Sequence, residues 1–543
     1  MIKKLLLILL LTITIFFGIL RPGYFPTHDD FSAIRLLEMD KCVKDGQIPC
    51  RWVPDMGFGY GYPQFNYYAP APYYAMEMFH LIGANYLDSI KIFLVLITII
   101  SAIGMFIFAN YLWGGVGGII STILYIYLPY RAVDFYARGD LPELTSLAIL
   151  PFLFLFAKRI ADGKKNSILF FAISVMLLFT THSITSVITT PFLFLWCLVQ
   201  GKKYVKLFIG FVWGIAMASF FVIPAWSEKG LVHIDTITSG YFNYLAHFVD
   251  IRQLFISTHW GYGVSMLGPN DDTSFAIGIL QWVLPIIAIA LIFILRKKEK
   301  KLLIYSISFT VMGFIALFMT HQKSVILWNN ISILKFVQFP WRFLLPAGFL
   351  LSVAAGSFGI FFKKKIVIVI VLLSIFGISI GLYGRFFMPK EWVNITDSQK
   401  FSGDAWIKQI TASIYDYLPN SVKKAPDKEA SDKPISIIGN INIISGTKRT
   451  DSQNWKVNVL SNNATLQLQL YYFPDWNIKV DGTSAKIDYN NEFGLMEVPL
   501  TKGEHDISAK LIDTTIRRIS NYVSLISVIP IIYLVSKKWQ RKY

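Results

Sequence analysis

The chain has 543 residues, of which 54% are hydrophobic and only 16% charged, and it carries a formal net charge of +17. Soluble domains carry about a quarter charged residues, so a soluble globular protein is excluded. The positive charge is not a nucleic-acid footprint either. It falls in short clusters between long apolar runs, where the positive-inside rule puts it.

Six clusters hold 21 Lys/Arg: Lys3–Lys4, Lys158/Arg159/Lys164/Lys165, Lys202/Lys203/Lys206, Arg296–Lys301, Lys363–Lys365 and Lys537–Lys542. Only Asp162 and Glu299 lie among them, which leaves the rest of the chain nearly neutral. The apolar runs reach roughly 17–25 residues, enough to cross a hydrocarbon core about 30 Å thick. They are continuous rather than alternating, which excludes a transmembrane β-barrel. With every cluster placed in the cytosol, spans are predicted near 5–20, 90–110, 116–130, 144–157, 167–183, 184–199, 206–224, 275–295, 302–320, 343–362, 366–386 and 520–536. The expectation is a polytopic α-helical protein of the plasma membrane, with about 12 spans and both termini cytosolic. Leu5–Leu20 resembles a signal peptide, but Arg21-Pro22-Gly23 follows in place of a small-residue cleavage site, so it reads as a retained first helix.

The same assignment leaves 21–89, 131–143, 225–274, 321–342 and 387–519 outside. In the first of these, Thr27-His28-Asp29-Asp30 precedes a helical spacing over Phe31–Lys41. Cys42 and Cys50 then flank a short loop, where an oxidising compartment allows a disulfide and a reducing one leaves two thiols. Cys197 lies in an apolar run and reads as packing. The aromatic, glycine-rich stretch that follows suits the headgroup level, with residues 73–83 as an interfacial helix. Residues 387–434 read as a polar linker. From Ile435 to residue 519 apolar and polar residues alternate, broken by turn signals at Ser461-Asn462, Asp481-Gly482, Asn490-Asn491 and Lys502-Gly503. Seven or so short strands predict an external β-sandwich. Residues 520–543 supply the last helix and a basic cytosolic tail. Residues 1–386 form the membrane domain in this division.

Four places carry candidate chemistry. The paired carboxylates Asp29 and Asp30 suit a general base with its charge-stabilising partner, or ligands for a divalent magnesium or manganese ion; the plainer role is an N-cap by Asp30. The segment 131–143 concentrates Arg131, Asp134, Arg138, Asp140 and Glu143. Arginines at a membrane surface clamp phosphate in a bidentate way, and the alternative is a solvated loop with internal ion pairs. His182 sits at the end of its span, as a functional polar group or as one hydrogen-bonded inside the bundle. Trp341-Arg342 opens a span, with Arg342 either snorkelling to headgroups or touching a lipid phosphate. No Walker motif, dinucleotide fingerprint or G-x-S-x-G elbow occurs.

These motifs in order (THDD, GQIPCRWVPDMGFGYGYPQFNYYAPAPYY, YRAVDFYARGDLPE, THS and QFPWRF) resemble the bacterial membrane family labelled 6-pyruvoyl-tetrahydropterin synthase-related. The likeness covers roughly residues 1–350, and no residue pattern suggests pterin chemistry. The family is similar to YfhO-like proteins and to the broader GT-C glycosyltransferases; YYFPDWNIKVDG and LTKGEHDISAKL resemble the YfhO-like C-terminal domain. The resemblance implies a GT-C-like enzyme that moves sugar from a polyprenyl-phosphate donor to a glycan, lipid or protein acceptor on the external face of the bilayer. It implies a catalytic acid position at Asp29 or Asp30 and a second at Asp140 or Glu143. Arg138 and Arg342 would hold the donor phosphate, with His28, His182 and Trp341 lining the substrate. Two other classes compete: a transporter or flippase for a lipid-linked glycan, and a non-catalytic protein that binds envelope glycan. Against a carrier, the spans lack the buried charges that ion coupling uses.

Overall fold

The computed structural model describes residues 2–266, 271–296 and 299–540; Lys297, Lys298, Arg541 and Lys542 of the basic clusters lie outside them. The chain divides into two compact units. One comprises Met1–Asp30, Leu87–Ala216 and Thr238–Ile395, and the other Phe31–Tyr86, Met217–Ile237 and Thr396–Tyr543. The linear boundaries drawn from sequence cut across this grouping, because the segment 31–86 is counted with the C-terminal sheet.

Seven helices among the described residues are long and apolar enough to cross a membrane: Tyr86–Ile126, Leu141–Ala161, Ser183–Gln200, Tyr204–Ser227, Lys300–Thr320, Pro340–Phe361 and Lys365–Phe386. Shorter apolar helices run over Leu6–Ile19, Ser167–Thr181 and Ile279–Leu295. The 41 residues of Tyr86–Ile126 hold two predicted spans, parted at Gly114, whose φ of 80° and ψ of 179° break the helix. Leu141–Ala161 and Pro340–Phe361 have 83% and 89% of their apolar windows buried, against 17% for Lys365–Phe386. The first two are therefore the inner helices of their unit, and the candidate residues sit at their N-terminal ends.

In the second unit six antiparallel strands form one hydrogen-bonded sheet: β1 (Ile435–Ile438), β2 (Ile441–Lys448), β3 (Ser452–Tyr471), β4 (Trp476–Val480), β5 (Thr483–Ser484) and β6 (Leu495–Leu511). The order is β1-β3-β6-β4-β5, and β2 also pairs with β3. Two of the four turn signals proved to lie inside long strands. Val459 pairs with Gly503 and Asn463 with Thr501, so Leu460, Ser461 and Asn462 oppose Lys502 alone and form a bulge in β3, while Lys502-Gly503 runs on within β6. The bulge shows in burial. Trp455, Val457 and Val459 face the core before it, and Ala464, Leu466, Leu468 and Leu470 after it. A period-two pattern that changes parity mid-strand reads, from sequence, as two strands and a turn. Asp481-Gly482 is a true two-residue hairpin between β4 and β5; φ is 52° and 81°, the positive pair such a turn requires.

The aromatic stretch does not lie as a wet belt. Trp52, Tyr60 and Tyr67 belong to the same buried cluster as the sheet, with Trp52 5.6 Å from Phe473 and 5.7 Å from Trp476, and Tyr60 stacked on Tyr471. Ile410 to Val422, within the expected linker, also contributes Ile414, Leu418 and Val422 to that core. Cys42 and Cys50 are disulfide-bonded, and Cys197 is a free, buried thiol.

Candidate functional site

The segment 131–143 is buried throughout, not solvated. Pro129–Ala132 begins as an α-turn and continues as a π-helix over Val133–Arg138, closed when Gly139 N–H donates to the Asp134 carbonyl at 3.0 Å. The wider π-turn moves side chains off α-helical register, an arrangement common at functional sites. Gly139 has φ +77°, and a Cβ there would fall on Thr27 Oγ1. Only glycine lets the first segment approach so closely. That approach is fixed by backbone bonds: His28 N–H donates to the Ala137 carbonyl at 3.0 Å and Asp29 N–H to the Arg138 carbonyl at 2.7 Å. Thr27 to Asp30 are half-buried beside the closed cluster. The helix after Asp30 starts at Ser32 with Phe31 in the N-cap position, so Asp30 is not its cap.

Asp140 is the N-cap of Leu141–Ala161. Its Oδ1 accepts the Glu143 N–H at 3.0 Å, and Pro142 stands in the first turn. This leaves Oδ2 for Arg138 Nη2 at 3.1 Å, with Arg342 Nη2 at 3.7 Å. Arg138 Nη1 also meets Asp134 Oδ1 at 2.7 Å and Glu143 Oε2 at 3.0 Å, and its guanidinium lies 4.5 Å from the Trp341 ring centre. Arg342 Nε lies 3.3 Å from Glu143 Oε2, while its Nη1 donates to the Gln338 side chain at 2.9 Å and the Val337 carbonyl at 3.0 Å. Gln338 is the centre of a tight γ-turn, with φ +66° and Phe339 N–H bonded to the Val337 carbonyl at 2.7 Å. Strain of this kind persists where surrounding structure over-determines it, here by fixing Arg342. Tyr130 donates to Glu143 Oε1 at 2.5 Å.

Three carboxyls thus share two guanidinium groups in a dry site. For Asp134, burial and the neighbouring Glu143 charge push the carboxyl well above its ordinary range, against the pull of Arg138, and among the described residues its Oδ2 has no hydrogen-bond partner. For Asp140, burial works upward, but His182, Arg138 and Arg342 outweigh it and hold the carboxyl well below its ordinary range.

His182 separates the helices Ser167–Thr181 and Ser183–Gln200 in an extended conformation. Its Nδ1 accepts the Thr185 N–H at 3.3 Å, so Nε2 carries the proton and faces Asp140 Oδ2 at 4.0 Å. Asp140, Glu143 and His182 bring one donor atom each within 4.8 Å of one another, and among the described residues this is the set that converges as metal ligands would. It does not fit a divalent ion as it stands. Both arginines occupy the carboxylate oxygens and supply the positive charge, and the inward histidine nitrogen is a donor.

The structure therefore brings Asp29, Arg138, Asp140, Glu143, His182, Trp341 and Arg342, from four separate sequence motifs, into one neighbourhood. His28 is held by its ring against the Tyr262 carbonyl. Arg131 turns away, to Ser101 and the Tyr125 carbonyl. Tyr130 and Gln338 open two of the motifs read from sequence, but carry no charge to suggest a role, and Asp134 was given no separate one.

Known proteins resemble this chain in several ways. An uncharacterized protein of Lactococcus lactis subsp. cremoris (strain MG1363) is 25% identical over 262 residues, 44% of this chain and 40% of that one. The mycobacterial arabinofuranosyltransferase AftD, seen by single-particle cryo-EM, aligns with a TM-score of 0.44 and 13% identity over 73% of this chain and 27% of its own. The apo crystal structure of the Archaeoglobus fulgidus oligosaccharyltransferase aligns with a TM-score of 0.42 and 10% identity, over 80% and 61%. This chain thus spans less than two thirds of each of these proteins. The profile of the 6-pyruvoyl-tetrahydropterin synthase related domain, described as a membrane protein, matches residues 65–388, well over half of the sequence, and the chain belongs to that family.

Proposed function

We propose that this protein is a GT-C-type membrane glycosyltransferase that takes its sugar from a polyprenyl-phosphate carrier and delivers it on the external face. One observation carries the reading. The motifs THDD, RGDLPE, THS and QFPWRF, scattered over more than 300 residues of sequence, meet around one buried arginine–carboxylate cluster. The sequence resemblance to GT-C enzymes supports the reaction class.

Arg138, Asp140, Glu143, His182 and Arg342 are all under 10% exposed, so the cluster is closed before substrate enters. A donor phosphate matches the fork of each arginine as well as a carboxylate does, and carries the charge that would take the place of Asp140 and Glu143. In the reaction, Asp29 or Asp30 takes the proton of the acceptor hydroxyl. The hydroxyl oxygen attacks the anomeric carbon, the bond from that carbon to the phosphate oxygen breaks, and polyprenyl phosphate leaves with the electron pair. The two arginines stabilise the growing phosphate charge, which is largest in the transition state. The half-buried position of Asp29 and Asp30 suits a base that must meet an incoming acceptor. About 12 spans with both termini cytosolic would put this site and the sheet outside.

The test is sugar transfer from a polyprenyl-phosphate donor by the doubly substituted Asp29→Ala/Asp30→Ala protein. Loss of about 10²–10⁴-fold is expected, the usual contribution of a positioned base. The Asp29 N–H bond to Arg138 survives the change, so the protein stays folded and inserted. Full transfer by the double variant sinks the assignment.

A further inference from the structure

The helix Leu141–Ala161 carries the cluster proposed for transfer at its N-terminal end and a second ionic cluster at its other end, roughly 27 Å away by the rise of an α-helix. Lys158 and Arg159 stand in its last turn. Two other segments of the same unit bring cations there. Lys202 lies in the turn between Ser183–Gln200 and Tyr204–Ser227, and Lys301 in the first turn of Lys300–Thr320. They converge on Lys158, on which the charges of both Lys301 and Lys202 act. Lys158 is 4% exposed and lies 5.5 Å from the Tyr305 ring centre, with Lys301 5.7 Å from the same ring.

The acids at this end do not match the cations. Asp162 pairs with Lys158 and accepts the Tyr111 hydroxyl at 2.8 Å, and Glu299 pairs with Arg296 at 2.5 Å. Among the described residues no carboxylate pairs with Arg159, Lys202 or Lys301, and the two lysines are exposed. Unpaired cations gathered from three segments repel one another, and an anion bound among them relieves that repulsion. Positive charge at helix ends is ordinary in a membrane protein; its convergence around one buried lysine is not.

The surface that continues from these cations selects the anion. Lys301 heads a stripe of exposed side chains, Ile304, Ile307, Val311, Ile315 and Phe318, spaced three and four residues apart along one face of the helix. The opposite face, with Tyr305, Phe309, Met312 and Ala316, is buried. Lys202 likewise precedes exposed Val205, Phe208 and Val212. A free anion or an acidic peptide uses the cations and leaves both apolar stripes in contact with nothing of its own. A lipid uses both, its headgroup on the basic pocket between helices and its chains on the stripes. We propose that Arg159, Lys202 and Lys301 form a binding site for the phosphate of an anionic glycerophospholipid, whose acyl chains lie along the exposed stripes that begin at Lys202 and Lys301. The proposal does not depend on the protein being a transferase.

The experiment is native mass spectrometry of the full-length chain in detergent, titrated with phosphatidylglycerol, cardiolipin and phosphatidylcholine, with inorganic phosphate as competitor. The two anionic lipids should bind more tightly than phosphatidylcholine. A cation near an anionic headgroup contributes roughly fivefold in affinity, so Lys202→Ala/Lys301→Ala should weaken anionic-lipid binding by about 25-fold. Both side chains are exposed, so the thermal midpoint should hold. The charge-retaining Lys202→Arg/Lys301→Arg should bind as the parent does. Lys364→Ala/Lys365→Ala, which removes two exposed lysines from another basic cluster, should leave binding unchanged. The proposal is overturned if phosphatidylcholine binds as tightly as the anionic lipids, or if the Lys364/Lys365 variant loses as much as the Lys202/Lys301 one. It is also overturned if the arginine pair binds no better than the alanine pair, or if excess inorganic phosphate displaces the lipid.

Discussion

Two buried ionic clusters, one in each unit, use the same residue types to different ends. In the second unit Glu228 is saturated. Its Oε2 accepts from Asn66 and from Arg517 Nε, both at 2.9 Å, with Arg517 Nη2 in ion-pair contact at 2.8 Å, and its Oε1 accepts from Thr514 at 2.8 Å. Arg51 lies nearby, bonded to the Phe220 carbonyl and to Asn521. Both carboxylate oxygens are thus hydrogen-bonded, and the bonds join segments of the chain that are far apart in sequence. That is an anchor. The Arg138 cluster draws three of its acids from ten residues of sequence and crowds them onto two guanidinium groups, with Asp134 Oδ2 left over. Excess acid, a strained turn behind Arg342 and a π-helix behind Arg138 serve no anchoring purpose. Such features suit a site whose partners exchange when a substrate arrives. We read the cluster whose carboxylate is fully hydrogen-bonded as an anchor of the fold and the crowded one as the site proposed for transfer.

Removing the anchor should have the largest effect on stability. Glu228→Ala leaves Arg517 buried and unpaired, which costs about 3–5 kcal/mol. Denaturation in detergent should show that loss, whereas the same measurement on Glu143→Gln should show much less. If both variants fall equally, the two clusters do not differ in kind. Next is Gly139→Ala, which forces a side chain into a left-handed position and against Thr27. A loss of about 1–2 kcal/mol is expected, with transfer falling further than stability because the Thr27–Asp30 segment is displaced. Transfer and thermal midpoint measured together separate the two effects.

A third buried acid sharpens the contrast by having no fixed donor at all. Among the described residues no fixed donor reaches either oxygen of Glu77, and burial, then the Asp40 charge and the hydrogen bond it shares with Asp40, raise its carboxyl to about 7, against a smaller pull from Lys44. A folded value above the unfolded one means the folded state holds the proton more tightly. The stability it confers is whole below about pH 4.5 and declines as pH rises towards 7 and beyond. Glu77→Gln should flatten that decline and raise stability at pH 8 by about 1–2 kcal/mol. A pH profile of unfolding that is the same in both proteins refutes the assignment.

Much of this was legible in the sequence, for identifiable reasons. Apolar length marks a membrane helix almost regardless of context, so each predicted span has a helix within it, and the break at Gly114 separates the two that run together. The candidate residues Asp29, Arg138, Asp140, Glu143, His182 and Arg342 stood out because charge and histidine are rare beside apolar runs. Their convergence was not readable, because it depends on how helices pack. The sheet was harder. The bulge at Ser461-Asn462 and the continuous strand at Lys502-Gly503 carry the residue types of turns, and only the partner strand tells them apart. Trp52 and Tyr60 could have been ring contacts for lipid or for a core, since both environments favour the same side chains. Tyr130 and Gln338 act through geometry alone, a γ-turn and a hydrogen bond across 13 residues, and leave no compositional trace.

The most direct test of the exchangeable cluster is transfer by Glu143→Gln protein in nanodiscs, from a polyprenyl-phosphate sugar, with the thermal midpoint recorded on the same sample. Glutamine keeps the bond from Tyr130 but releases both arginines from a charge, so the account predicts transfer reduced by about 10²-fold or more with the fold intact. Undiminished transfer at an unchanged midpoint would contradict it.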